Sequence, residues 1–380
     1  MAEVIVVGGG LIGAAIAWRA SLAGLNVTLV DDARRSRASW AAAGMLAPVA
    51  EVSYGEEPLL GLSLRSADRY PGFVADLQEA TGLDVGYRAC GSLLVAGDGD
   101  DFASLMALYD FQQRLGLSAD RLSIRQTRAL EPSLTPALRG GVMVNGDHQV
   151  DNRALLVALH VAAAAAGATI ETATAELSIV DGRVQGARLD GGHVVEAGTV
   201  VLCGGCWSAT TPGLPAGIVP TLRPVKGQIL RLRQDPSRPI LQRTVRARVH
   251  GHSVYLVPRA DGELVVGATV EERGFDETPT ALAVHDLLRD ARTVVPDIGE
   301  CEFVEHWVGF RPATPDNAPI ISDTDVSGLI VAAGHFRNGV LLTPITADAV
   351  VERLCDGRFP GYVEPFGHQR FLSTHKAVAS

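Results

Sequence analysis

The chain has 380 residues, with 43 acidic against 33 basic side chains and a formal net charge of −10. That balance excludes nucleic acid as the natural partner, because gripping a phosphate backbone needs a basic face. Hydrophobic residues at 47% and charged residues at 20% fit a globular protein too long for one ordinary core, so two domains are expected.

The run Val4-Ile5-Val6-Val7 reads as a strand, so no signal peptide is expected. No apolar run is long enough to span a bilayer, and a cytoplasmic location is the default expectation. The first strand leads into Gly8-Gly9-Gly10-Leu11-Ile12-Gly13. A helix is predicted over 14–23, and a second apolar run, Val27-Thr28-Leu29-Val30, ends in Asp31-Asp32. Strand, glycine turn, helix, strand and acid, in that order, are what a dinucleotide site needs. Gly8 permits the tight turn, Gly10 lets backbone approach a pyrophosphate, and Gly13 lets the helix pack on the strand. The helix N-terminus offers unpaired N–H groups and a positive dipole end. Asp31 lies 18 positions beyond Gly13, close to the roughly 20-residue offset of a ribose-binding carboxylate, and it would repel the 2′-phosphate of NADP.

Arg34-Arg35-Ser36-Arg37 is the one tight basic cluster, either a solvated loop or a loop touching the cofactor phosphates. Residues 38–48 are small and uncharged, as expected of backbone packed against a ligand or of a buried loop. A long helix is predicted over 56–79, kinked near Pro71. From Asp84 the pattern changes to a strand over 91–96, a helix over 100–115 and a short helix over 123–130 that stops before Pro132. Val142-Met143-Val144 then leads back, and Asp151 caps a helix over 152–166 that stops at Gly167. His160 in that helix is read as a surface or core residue rather than a ligand. Strands over 175–180 and 184–189 form a hairpin through Asp181-Gly182-Arg183. A strand over 199–202 runs into Cys203-Gly204-Gly205-Cys206, a second strand-to-glycine turn. Strands over 227–232, 253–257 and 263–267 and a helix over 281–295 follow. The strand 329–333, the segment Gly334-His335-Phe336-Arg337-Asn338-Gly339 and a helix over 343–354 close the pattern.

The five cysteines form no disulfide framework. Cys203-Gly-Gly-Cys206 has the spacing of a redox or metal pair but no second ligand pair or thioredoxin-like context, so two buried residues flanking a glycine turn are expected, and no metal. The fold class is α/β: a Rossmann-type domain with a parallel sheet from residues 1–83, 145–220 and 310–380, and an inserted α+β domain with an antiparallel sheet from 84–144 and 221–309.

These segments resemble the glycine oxidase branch of the D-amino-acid oxidase family of flavoenzymes. The matching stretches are GGGLIG, SWAAAGMLAP (39–48), VDNRALLVAL (150–159), VVLCGGCWS (200–208), RPVKGQILRL (223–232), VYLVPRADGELVVGATVE (254–271), GFRPATPDNAPII (309–321) and AAGHFRNGVLLTPITA (332–347). They cover nearly the whole chain in family order. The resemblance implies non-covalent FAD, a p-hydroxybenzoate-hydroxylase-like fold and oxidation of glycine, with sarcosine or small D-amino acids as further substrates, by hydride transfer to the flavin and reoxidation by dioxygen. It also implies supply of an imine for the thiazole ring of thiamine, and a homotetramer. Carried over by position, Arg311 would grip the substrate carboxylate, a task for a guanidinium fork; a surface arginine before a proline turn is the plain alternative. Tyr255 would hydrogen-bond the same group, Arg337 would sit beside it, and Met45 would crowd the substrate side chain. Cofactor contacts are implied for Gly8, Gly10, Leu11, Ile12, Gly13, Asp31, Asp32, Ser39, Ala43, Gly44, Met45, Gly204, Gly205 and Trp207. At the flavin end they are implied for Arg311, His335, Arg337, Asn338, Gly339, Val340 and Leu341. Three positions depart from the family pattern: Asp31 stands where relatives usually have Glu, Val270 where Met is common, and Ser253, next to His252, where some relatives have His. The alternatives are a D-amino-acid dehydrogenase that spares oxygen and a non-catalytic flavoprotein.

Overall fold

The computed structural model describes residues 3–34 and 36–371. Arg35 of the basic run and residues 372–380 of the expected third segment lie outside the described residues.

A six-stranded sheet forms one half of the molecule. Its spatial order is Ile320–Asp323, Leu329–Ala333, Thr199–Leu202, Glu3–Val7, Asn26–Asp31 and Thr169–Thr172. All neighbours are parallel except the first pair. Period-two alternation sends the side chains to two different cores. Val4, Val6, Val27, Leu29 and Val201 pack under the helices Leu11–Leu22, Asn152–Ala165 and Thr343–Asp356. Ile5, Val30, Val200 and Leu202 meet Leu177, Val184 and Ala187 of a three-stranded antiparallel sheet, which contains the expected hairpin Ala175–Val180 and Arg183–Leu189. Burial on both faces explains why these strands read as continuous apolar runs. The register pairs Val7 with Leu202 and with Val30, and Leu202 with Val331, so the three central strands end level. The glycine turns that follow them therefore gather at one carboxyl edge, where ligands bind in open parallel sheets.

The helix Leu11–Leu22 starts three residues before its expected start, with Gly10 as N-cap. It tolerates Gly13 because the helix lies against the turn there: a Cβ at Gly13 would stand 1.9 Å from the Gly8 carbonyl oxygen. Gly8 has φ +108°, and a Cβ on it would meet the Cys203 carbonyl carbon at 2.6 Å, so a side chain is excluded twice over. The helix Glu57–Thr81 is one continuous helix with Pro71 inside it, packed against Asn152–Ala165 and Thr343–Asp356. It ends at Gly82 in the left-handed conformation.

The other half is an eight-stranded sheet ordered Glu302–Ala313, Arg223–Arg233, Glu263–Gly267, His252–Pro258, Thr244–Val249, Ser92–Ala96, Gly141–Val144 and Asp120–Leu122. All its pairings are antiparallel except that between Thr244–Val249 and Ser92–Ala96. Glu302–Ala313 and Thr244–Val249 are strands the sequence pattern did not indicate. The first spans the boundary expected between 309 and 310, because it stays paired with Arg223–Arg233 along its whole length. One face of this sheet packs on the helix Ala281–Val294 through Leu230, Leu256, Leu264 and Leu287. On the other face Ile229, Val257, Val265 and Tyr255 meet Ala43 and Met45 of the 41–48 loop.

Candidate active site

A cavity of about 670 Å³ runs from the first glycine turn to the inner face of the eight-stranded sheet. Gly8, Gly10, Leu11, Ile12, Asp31, Asp32 and Ser39 line its first end. The Ser39 hydroxyl accepts from the Leu11 N–H at 3.0 Å and so lies at the helix N-terminus, where its own proton is free to face an anion. Asp31 carries an ion pair to Arg37 at 2.7 Å, and Asp32 pairs with Arg34. The Arg34 guanidinium lies 4.8 Å over the Trp207 ring.

Ala43, Gly44, Met45, Gly204, Gly205 and Trp207 line the middle. The small-residue loop is held from behind by buried polar side chains. Asn152 donates to the Ser39 carbonyl at 2.8 Å and the Trp40 carbonyl at 3.2 Å. Arg259 donates to the Ala43 carbonyl at 2.7 Å and the Val150 carbonyl at 2.8 Å. Burial pulls the Arg259 guanidinium down to about 10, still cationic at neutral pH. Asp147 accepts from Val49 N and Ala50 N at 3.1 and 2.9 Å, and burial pushes its carboxyl up to about 7.

Tyr255, Arg311, His335, Arg337, Gly339 and Val340 line the far end. Tyr255 and Arg311 are hydrogen-bonded to each other. Burial raises the Tyr255 phenol above its ordinary range, with the Arg311 cation opposing that rise, so the hydroxyl stays protonated. Space for the pair comes from two glycines on adjacent strands. A Cβ at Gly227 would stand 2.6 Å from the Arg311 guanidinium, and one at Gly267 would stand 2.4 Å from the Tyr255 oxygen. Ser253 also lines the cavity, whereas His252 is exposed beside Asp290, 3.5 Å away. Val270 sits at the rim and is 73% exposed, so it does not fill the interior.

Three of the implied cofactor residues lie outside the cavity wall. Gly13 is behind the turn, under Gly8. Leu341 is buried in the helical core, with its carbonyl taken by the Ser66 hydroxyl at 2.6 Å. Asn338 is buried, and its carbonyl accepts from Leu342 N at 2.8 Å. His335 lines the cavity, but its ring turns back to within 3.0 Å of the Thr346 hydroxyl, and burial pushes the imidazole down to about 3, so it is neutral. Cys203 and Cys206 are both free and buried; burial raises both thiols, Cys206 to about 12, which makes them inert.

Two wall residues, Arg246 and Glu51, were not foreseen. Arg246, on Thr244–Val249, is registered opposite Tyr255; it pairs with Glu51 and reaches the Met45 sulfur at 3.4 Å. Arg337 crosses to the same loop, donating to the Ser53 hydroxyl at 2.9 Å and pairing with Glu56, with Glu51 at 3.9 Å. Among the described residues the cavity wall therefore carries five arginines, Arg34, Arg37, Arg246, Arg311 and Arg337. Four of them have carboxylate partners. Among the described residues Arg311 has none: its recorded partners are the Thr269 carbonyl at 3.0 Å and the Tyr255 hydroxyl.

A parallel sheet with a glycine turn, a helix N-terminus and an acid at its carboxyl edge is the architecture of a dinucleotide-binding enzyme, and here it is continuous with a cavity ending in an arginine without a carboxylate partner among the described residues. Residues 3–353 match the FAD dependent oxidoreductase family (DAO), and the chain belongs to that family. It is 36% identical over 354 residues to a glycine oxidase from Geobacillus kaustophilus, covering 92% of each chain. The crystal structure of the glycine oxidase from that organism superposes with a TM-score of 0.86, covering 97% of this chain and 98% of that one at 35% identity. The chain is also 33% identical over 371 residues to the bifunctional protein ThiO/ThiG of Trichormus variabilis; this covers 97% of this chain but 55% of that protein, about half its length. Among the described residues no helix is long and apolar enough to cross a membrane, and no group of side chains could hold a metal ion.

Proposed function

We propose that this protein oxidises glycine, and with it sarcosine or small D-amino acids, with dioxygen and water to the 2-oxo acid, the released amine (ammonia from glycine, methylamine from sarcosine) and hydrogen peroxide. The observation that carries the reading is Arg311, the one cavity arginine without a carboxylate among the described residues, facing space beside a protonated tyrosine. A half-buried cation in that condition calls for an anion from outside. Its planar fork suits an α-carboxylate, with the Tyr255 hydroxyl as a further donor. Similarity to the glycine oxidase of Geobacillus kaustophilus supports the same substrate class.

The first end of the cavity fits FAD: glycine backbone at a helix N-terminus for the pyrophosphate, Ser39 beside it, and Asp31 within reach of a ribose. When bound, FAD supplies the acceptor for the electron pair and hydrogen leaving the substrate α-carbon, and dioxygen regenerates it. The chain itself orients and neutralises. Arg311 and Tyr255 fix the carboxylate, so the α-carbon has one orientation in the cavity. Met45, held by Arg246 through its sulfur, limits the side chain the cavity accepts. Among the described residues at the far end of the cavity none is suited to act as a base at neutral pH: His335 is turned away, Tyr255 is protonated, and Glu51 is paired with Arg246. The substrate amine therefore enters unprotonated. Asp31, Asp32, Ser39, Ala43, Gly44, Gly204, Gly205, Trp207, Gly339 and Val340 are proposed cofactor contacts on their place in the wall. The division into two domains, a homotetramer and supply of an imine for thiazole synthesis belong to the same proposal. The test is a peroxide assay in air with glycine, sarcosine, D-alanine and D-proline on the yellow protein. Flavin bleaching without peroxide would replace the oxidase by a dehydrogenase, and no bleaching by any of them would remove the reading.

A further inference from the structure

The first glycine turn has a brace that the dinucleotide pattern does not contain. His160, in the middle of the helix Asn152–Ala165, places its Nε2 2.7 Å from the Gly9 carbonyl oxygen, across 151 positions of chain. A carbonyl only accepts, so the ring donates, with its proton on Nε2. The neighbouring links in the turn are fixed by other partners. Gly8 N donates to the Val30 carbonyl at 2.8 Å, Leu11 N to the Ser39 hydroxyl at 3.0 Å, and Ala14 N to the Gly10 carbonyl at 2.9 Å. Between these anchors lies the Gly9–Gly10 peptide, joined by two residues without side chains and intrinsically the most rotatable link in the turn. A Cβ at Gly9 would stand 2.7 Å from the Asp31 Cβ, so no bulkier residue can stiffen it.

Across a trans peptide, C=O and N–H point in opposite directions. A donor on the Gly9 oxygen therefore turns the Gly10 N–H away from the helix, toward the side on which Gly10 lines the cavity. We propose that His160 is a cofactor-positioning residue: it pre-orients the Gly10 N–H as a donor to the diphosphate of FAD. The inference rests on FAD occupying this end of the cavity and is independent of which amino acid is oxidised. Asn152, two turns earlier on the same helix, braces Ser39 from the opposite flank, so one helix supports both neutral donors of the phosphate site.

The experiment is FAD titration of the apoprotein, followed by flavin fluorescence, for His160→Leu, His160→Gln and His160→Asn. Loss of one neutral hydrogen bond and of the orientation it imposes raises the FAD Kd of His160→Leu roughly three- to tenfold. Gln places an amide N–H at similar reach and restores binding to within about twofold of the wild type, a rescue that mere packing at this site would not give. Asn, polar but too short, behaves like Leu and supplies the comparison if Leu does not fold. An unchanged Kd in Leu and Asn, or a Gln variant as weak as Leu, overturns the proposal. Loss of amino-acid oxidation with normal FAD binding would count against the substrate reading alone.

Discussion

Replacing Arg311 by Ala tests the substrate end of the cavity directly. The side chain is half-buried, has no carboxylate partner among the described residues, and shares its environment with the neutral Tyr255 hydroxyl and the Thr269 carbonyl. Its removal strands no internal counter-charge, so the fold loses little. What disappears is the partner of the incoming carboxylate. Charge-assisted hydrogen bonds contribute about 1.5–3 kcal/mol each, and Tyr255 remains as a weaker donor. A net loss of about 2–3 kcal/mol corresponds to a rise in KM of roughly 30- to 150-fold. The assay is peroxide release against glycine concentration on enzyme with its flavin absorbance intact, with kcat and KM separated. Arg311→Lys keeps the charge but not the fork and falls between the two. A KM within about threefold of the wild type in Arg311→Ala, with flavin retained, would refute the assignment, because nothing else at this end offers an unpaired cation.

The other expectations concern the shell that holds these groups. Gly227→Ala puts a Cβ within 2.6 Å of the Arg311 guanidinium, a flexible end that can swing aside; KM rises about tenfold while denaturation midpoints change little. Arg259→Met leaves the carbonyls of Ala43 and Val150 buried without their donor, and chemical denaturation shows a loss of about 3 kcal/mol together with weaker flavin retention. Asp147 has its carboxyl raised from 3.8 to about 7, so the fold favours the protonated form. The stability this gives is present in full below the unfolded value and is lost as pH climbs from about 4 to about 7. Asp147→Asn flattens that slope, read from urea midpoints between pH 4 and 8; an equal slope in both proteins would show that Asp147 titrates normally.

The dinucleotide end was legible because its physics is local. Gly8, Gly10 and Gly13 and the flanking strands answer to constraints within about thirty consecutive residues, and Asp31 follows at the expected offset at the end of the second strand. The element that braces this turn was not legible, since His160 reads as an ordinary helix residue until folding brings the helix against Gly9. Glu51 and Arg246 were hidden for a related reason: TVRARV places arginines in alternation, which obscures a strand that turns Arg246 to the cavity, where Glu51 pairs with it, and leaves Arg248 exposed. Asn338 and Leu341 lie off the cavity wall because a motif marks a stretch of chain, while short helical turns send alternate groups of that stretch to the wall and to the core.

At the substrate end, function depends on register, which is a property of strand pairs. Arg223–Arg233 pairs with Glu302–Ala313 so that Gly227 faces Gly309 and Val225 faces Arg311. This directs Gly227 and Ile229 to the cavity, while Gln228 bonds Glu271 and Lys226 bonds Asp276 and the Thr278 carbonyl outside it. A slip of one residue would exchange these two sets. It would put the Lys226 ammonium where Gly227 now clears space for Arg311, and a second cation beside Arg311 would repel it from the position proposed to receive a carboxylate. The glycine is thus as necessary to the clamp as the arginine, although by itself it has no group that could announce a role.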